Sequence, residues 1–184
     1  MTASVVDNRG FHEEDRLRAN VYGFLARFLL SPPSADMLQE TAGLTGDTTE
    51  LGLAFTTLSK IASKTPVATA RQEYNDLFIG VGRGELLPYG SYYLTGFLNE
   101  KPLAKLRQSL RELQIQRKEE VKDPEDHIGT LLEVMEGLIL GKFGPPACLD
   151  DQKNFYRNHI ENWASHFFSD LESAKYSTLY QPIG

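Results

Sequence analysis

Cysteine is nearly missing from the chain: one residue, Cys148, in 184. A single thiol cannot close an internal disulfide, nor can it supply the cysteine pairs of structural zinc sites. There is no Asn-x-Ser/Thr sequence. No apolar run approaches the roughly 20 residues of a membrane-spanning helix, and the longest stretch, 24–30, is interrupted by Arg27. The N-terminal sequence MTASVVDNRGFHEEDRLRAN has no basic region followed by an apolar one, so no secretory signal is expected. Basic residues are in deficit: the net charge is −6, and the lysines and arginines are scattered. The electrostatic footprint of a nucleic-acid binder is therefore missing. These absences predict a cytoplasmic globular protein with no nucleic-acid partner and no stable membrane insertion.

What is present is a composition of 41% hydrophobic and 24% charged residues, enough for a core of one domain. The apolar residues recur at helical spacing and nowhere alternate as in strands. Leu17, Val21, Phe24, Leu25, Phe28 and Leu29 define a first helix that Pro32-Pro33 stops. Ser34 reads as a cap for a second helix, 51–61 as a third, and Thr65-Pro66 as the start of one that continues through Tyr74 and Phe78. A glycine-rich connection, 80–91, is followed by a helix over 102–113. Asp123-Pro124-Glu125-Asp126 then reads as a strong helix start with Asp123 as cap, and 149–168 as the last long helix. The pattern predicts an all-α, single-domain helical bundle spanning 1–184. Polar residues 114–122 form a hinge between an N-terminal lobe (12–113) and a C-terminal lobe (123–184).

Familiar catalytic motifs fail on inspection. Gly80, Gly82 and Gly84 lack the third dinucleotide-loop glycine, since Glu85 stands there, and no strand precedes them. His12-Glu13 opens like a zinc-protease helix, but Arg16 occupies the second histidine position. Cys148 beside Pro145-Pro146 reads as a small structural residue before it reads as a nucleophile paired with His159 or His166. Glu73 and Asp76 read as a solvated helix face. Asp126, His127 and Glu133 offer metal-ligand atom types on one helix, and a small metal-dependent hydrolase built on them is the alternative from the enzyme class.

Four stretches carry a more specific signal: EYNDLF (73–78), PYGSYYLTG (88–96) after Gly82, KPLAKLRQSL (101–110) and EDHIGTLLEVM (125–135). In sequence, order and spacing they resemble the TorD/DmsD family of redox-enzyme maturation chaperones. The resemblance implies a helical, cytoplasmic, non-enzymatic protein. Such a chaperone binds the twin-arginine signal peptide or the apo form of a molybdoenzyme catalytic subunit of the dimethyl sulfoxide reductase type. It assists insertion of the molybdopterin cofactor and delays export. Carried over by motif, the peptide-binding residues are Asp126 and His127, Pro88, Tyr89 and Ser91, and Tyr74 and Phe78. An arginine pair followed by an apolar segment calls for a carboxylate beside an aromatic groove, which these residues offer. The resemblance also implies no resident cofactor beyond weak contact with guanine nucleotide or molybdopterin, and a monomer able to swap its C-terminal half through the hinge. The chain has no twin-arginine motif of its own, as expected of chaperone and not cargo.

Overall fold

The computed structural model describes residues 12–117 and 122–184. Among them the α-helices are α1 (Glu13–Leu30), α2 (Ala35–Ala42), α3 (Glu50–Ala62), α4 (Val67–Tyr74), α5 (Gly90–Thr95), α6 (Lys101–Glu112), α7 (Ile128–Leu140), α8 (Leu149–His159) and α9 (Glu161–Ser173). No strand occurs among the described residues, so the expected all-α class is the observed one. No described helix is long and apolar enough to cross a membrane.

The chain forms two compact units, and each is discontinuous in sequence. One comprises Met1–Leu30 with Tyr89–Trp163, the other Ser31–Pro88 with Ala164–Gly184. The segment 114–122, read as a hinge between lobes, falls within the first unit, and its residues 118–121 lie outside the described residues.

In the first unit α7 is the central element. It carries Ile128, Leu131, Leu132, Val134, Met135, Leu138 and Ile139, all buried, so it is apolar nearly all round as a helix enclosed by others must be. Helix α1 packs along it, burying Ala19, Ala26, Phe28 and Leu29. Leu17, expected on that face, is 54% exposed. Gln152 ties α8 to α1: its side-chain oxygen accepts from Arg18 at 2.8 Å, while its nitrogen donates to the Ala147 carbonyl.

In the second unit α2 packs on α3, and Ser34 caps α2 as read from sequence, accepting from the Met37 amide at 3.2 Å. Thr65 does not cap α4; its hydroxyl donates back to the Ile61 carbonyl, and Pro66 takes the cap position. Helix α4 passes into a π-helical turn, Asn75–Ile79, ended by Gly80 with φ 62°, a conformation that suits glycine. The glycine-rich loop then folds back on this turn, the Leu86 amide donating to the Leu77 carbonyl at 2.8 Å. Two further differences from the sequence reading are local. The last long helix is broken at Ile160 into α8 and α9, and α5 begins at Gly90, inside the stretch 80–91 read as loop, and continues through residues given no helical reading.

Candidate functional site

The sequence EDH, residues 125–127, is held at three points in the first unit. Glu125 pairs with Arg107 at 2.8 Å and with Arg117 at 3.8 Å. Burial opposes ionisation of Glu125, but the Arg107 hydrogen bond, a backbone bond and the two guanidinium charges outweigh it and hold the carboxyl below its ordinary value. Asp126 is 3% exposed. Its Oδ2 accepts from the Ser91 amide at 2.6 Å and from the Ser91 hydroxyl, and its own carbonyl accepts from the Gly90 amide at 2.9 Å. Asp126 thus caps the N-terminus of α5 from a residue 35 positions away. Helix α7 starts at Ile128 and not at Pro124, which corrects the reading of Asp123 as cap and Asp126 as a first-turn carboxylate.

His127 is the cap of α7. Its Nδ1 accepts from the Gly129 amide at 3.0 Å, so the ring is the neutral tautomer with the proton on Nε2. Desolvation lowers its pKa from 6.5 to about 4. Tyr89 pairs with His127 in an isolated antiparallel bridge and lays its ring edge-on to the imidazole, centroids 5.1 Å apart. A pH signature follows. Between about pH 6.5 and 4 the unfolded chain takes up a proton that the folded chain refuses, so the stability His127 contributes is complete above pH 6.5 and is lost as pH falls toward 4. The loss is expected to reach about 3 kcal/mol. Half-buried His159, also lowered by desolvation, adds in the same direction. Urea unfolding at pH 7 and 4.5 checks this. His127→Asn, which retains a capping side chain, should flatten most of the slope, and an undiminished slope would assign it elsewhere.

The other oxygen of Asp126, Oδ1, is buried and has no hydrogen-bond partner among the described residues. Asp126 lines a cavity of about 310 Å³ in the same unit, with Leu94, Lys101, Lys105, His159 and Trp163 among its walls. Trp163 is 1% exposed and anchored by its indole N–H on the His159 carbonyl at 2.7 Å. A Cβ on Gly90 would stand 3.1 Å from the indole nitrogen, a tight contact that any side chain there would press on Trp163. A buried acceptor without a donor costs about 1–3 kcal/mol, a penalty that a ligand bringing an N–H would remove.

The sequence-predicted residues divide between the two units. Tyr89, Ser91, Asp126 and His127 come together in the first as described. Tyr74 and Phe78 belong to the second, where they are core residues at 7% and 8% exposure and not a free aromatic groove. The fully buried ring of Tyr180 covers them, 6.4 Å from Tyr74 and 5.5 Å from Phe78 between centroids. Burial, and then the neighbouring Tyr74 and Glu73, push the Tyr180 phenol up. Glu73 is also buried: its Oε1 accepts from the Thr178 and Tyr180 amides at 2.7 and 3.0 Å, correcting its reading as a solvated residue. Glu85 receives the Lys175 and Tyr176 amides in the same manner. Pro88 is buried and closes the first segment of that unit.

Sequence reasoning missed Leu94, Phe97 and Leu98, exposed at 46%, 70% and 40% directly after the PYGS element, as well as the two cavity lysines. The apolar run YYLTGFL was the available signal. The hydrolase reading lacks its geometry. His127 has its Nδ1 engaged by Gly129, Glu133 lines a different cavity from Asp126, and no three metal-ligating side chains converge among the described residues.

Comparison with known proteins adds a family context. A family model described as "Nitrate reductase delta subunit" matches residues 45–169. The chaperone protein TorD of Aliivibrio fischeri is 28% identical over 171 residues, covering 82% of this chain and 80% of its own length. A Haemophilus influenzae protein described as "Probable Tat proofreading chaperone DmsD" is 32% identical over 114 residues, covering 61% of this chain and 53% of its own. Among solved structures, an Archaeoglobus fulgidus protein assigned to redox enzyme maturation aligns with a TM-score of 0.56 at 19% identity, over 94% of this chain and 90% of that one.

Proposed function

The chain belongs to the nitrate reductase delta subunit family, whose TorD and DmsD relatives are maturation chaperones and not enzymes, and from that premise we propose that it binds the twin-arginine signal peptide of a molybdoenzyme. The client is an oxidoreductase of the dimethyl sulfoxide reductase type, held in the cytoplasm until its molybdopterin cofactor is inserted. One observation carries the reading: Asp126, whose buried Oδ1 has no hydrogen-bond partner among the described residues, is part of the cavity wall. A guanidinium is the donor best matched to such an oxygen, because the bond is charge-assisted and the planar cation is the less strongly hydrated of the basic side chains. Ser91 and His127 act as positioning residues: Ser91 fixes Oδ2, and His127 with Tyr89 fixes the backbone that carries Asp126. The apolar stretch after the arginines would lie along Leu94, Phe97 and Leu98, since Tyr74 and Phe78 are covered by Tyr180.

Titration calorimetry with a synthetic peptide carrying an arginine pair followed by an apolar segment tests the proposal. Saturable one-to-one binding is expected, lost when both arginines are replaced by glutamine. Equal binding of the glutamine peptide would refute the arginine receptor and leave, at most, a general apolar binder.

A further inference from the structure

The cavity lined by Asp126 carries two cations that an arginine receptor does not by itself require. Lys101 and Lys105 stand one turn apart on α6 and both line it. Side chains four residues apart share a helix face at about 5–6 Å, so their charges repel. Neither lysine has an ion-pair partner among the described residues, whereas Arg107, two residues beyond Lys105 on the same helix, is paired with Glu125. The walls are thus of opposite sign: a carboxylate oxygen in need of a donor, and a lysine pair in need of an anion. A bare arginine entering this space would gain Asp126 and be repelled by the lysines.

We propose that Lys101 and Lys105 are specificity-determining residues that read an acidic side chain two positions from a client arginine, the two opposite charges of one peptide segment being taken together. This rests on the reading of Asp126 as the arginine receptor. Extended peptide places neighbouring side chains about 3.3 Å apart along the strand and next-nearest ones on the same face about 7 Å apart. A space of about 310 Å³ accommodates a pair of side chains at that separation. Peptides with arginine and lysine together are selected against, because like charge beside the lysine pair would be unrelieved.

Fluorescence anisotropy with labelled synthetic peptides tests this. The peptides share an arginine pair and an apolar tail and carry Asp, Asn or Lys at the first or second position after the pair. The protein is used as the full chain and as two double variants, Lys101→Gln with Lys105→Gln and Lys101→Glu with Lys105→Glu; both lysines are exposed, so the variants should melt with the parent. The parent is expected to prefer an Asp peptide over its Asn counterpart by about three- to tenfold, less at high salt. The glutamine variant should lose the preference and the glutamate variant should prefer the Lys peptide. A parent that binds all the peptides alike overturns the inference while leaving the arginine receptor standing. A preference that survives in the glutamine variant overturns it too. If binding ignores the acidic residue but millimolar inorganic phosphate competes with the peptide only while the lysines are present, they serve a phosphate-bearing ligand and the inference falls. Failure of every peptide to bind removes the underlying arginine reading together with it.

Discussion

Asp126→Asn is expected to leave the fold in place and to weaken binding of a twin-arginine peptide by more than tenfold. The expectation comes from the two unlike oxygens of this carboxylate. Oδ2 accepts two hydrogen bonds from Ser91, and an asparagine carbonyl can accept both in the same position. The amide nitrogen then takes the place of Oδ1, where no described protein group donates, and turns an acceptor of this cavity-lining residue into a donor. A guanidinium offers only donors, so the substitution replaces attraction by a clash of N–H groups and removes the charge. Truncating one partner of a desolvated charged hydrogen bond costs about 2–5 kcal/mol. Asp126→Ala provides the contrast. It strips the cap from α5 and leaves the buried Ser91 amide without its acceptor, which should lower stability by about 1–3 kcal/mol besides abolishing binding. Calorimetric titration beside thermal melting separates the two. Unchanged affinity in Asp126→Asn would mean that the carboxylate serves only to hold α5, and that the peptide is recognised elsewhere.

Glu73→Ala is expected to destabilise the second unit severely, by about 2–5 kcal/mol, without any direct effect on the residues around Asp126. The alanine leaves the Thr178 and Tyr180 amides without their acceptor, the latter in a buried position. Each orphaned buried donor costs about 1–3 kcal/mol. Tyr180 itself is fully buried against Tyr74 and Phe78, so loosening the segment that carries it also exposes aromatic surface. Such a loss is a large fraction of the 5–15 kcal/mol typical of a domain. Glu73→Gln can still accept both bonds and should lose only their charge-assisted part, about half the effect. Urea denaturation of the three proteins, with limited proteolysis near the C-terminus, checks the order alanine, glutamine, parent. A drop of less than about 1 kcal/mol in the alanine variant would show that the C-terminal segment is held by its apolar contacts alone.

Element boundaries were legible wherever the signal was local. Ser34, three residues before the amide it accepts from, announced α2, and Pro32-Pro33 stopped α1, which ends at Leu30. Where local signals competed with a distant partner, the partner prevailed. Asp123-Pro124 is a good helix start on its own, yet α7 begins later because Asp126 is drawn to Ser91 and Gly90 and His127 is left to cap the helix. The break at Ile160 has the same character: its neighbour Trp163 is fixed to the His159 carbonyl and lies against Gly90.

The sequence by itself determined the all-α class, most of the helices, the absence of an internal disulfide and the family, because periodicity, composition and short motifs are properties of neighbouring residues. Only the tertiary structure decided which carboxylates are buried and what they hold. Asp126 meets a partner 35 residues away, and Glu73 meets partners 105 and 107 residues away. Helical periodicity marks a face as buried without saying which segment covers it, so a core aromatic such as Phe78 and an exposed one such as Phe97 read alike until the chain closes on itself. That each unit is assembled from segments far apart in the chain follows from the same cause: apolar faces pair by complementarity of shape and burial, which no local pattern records.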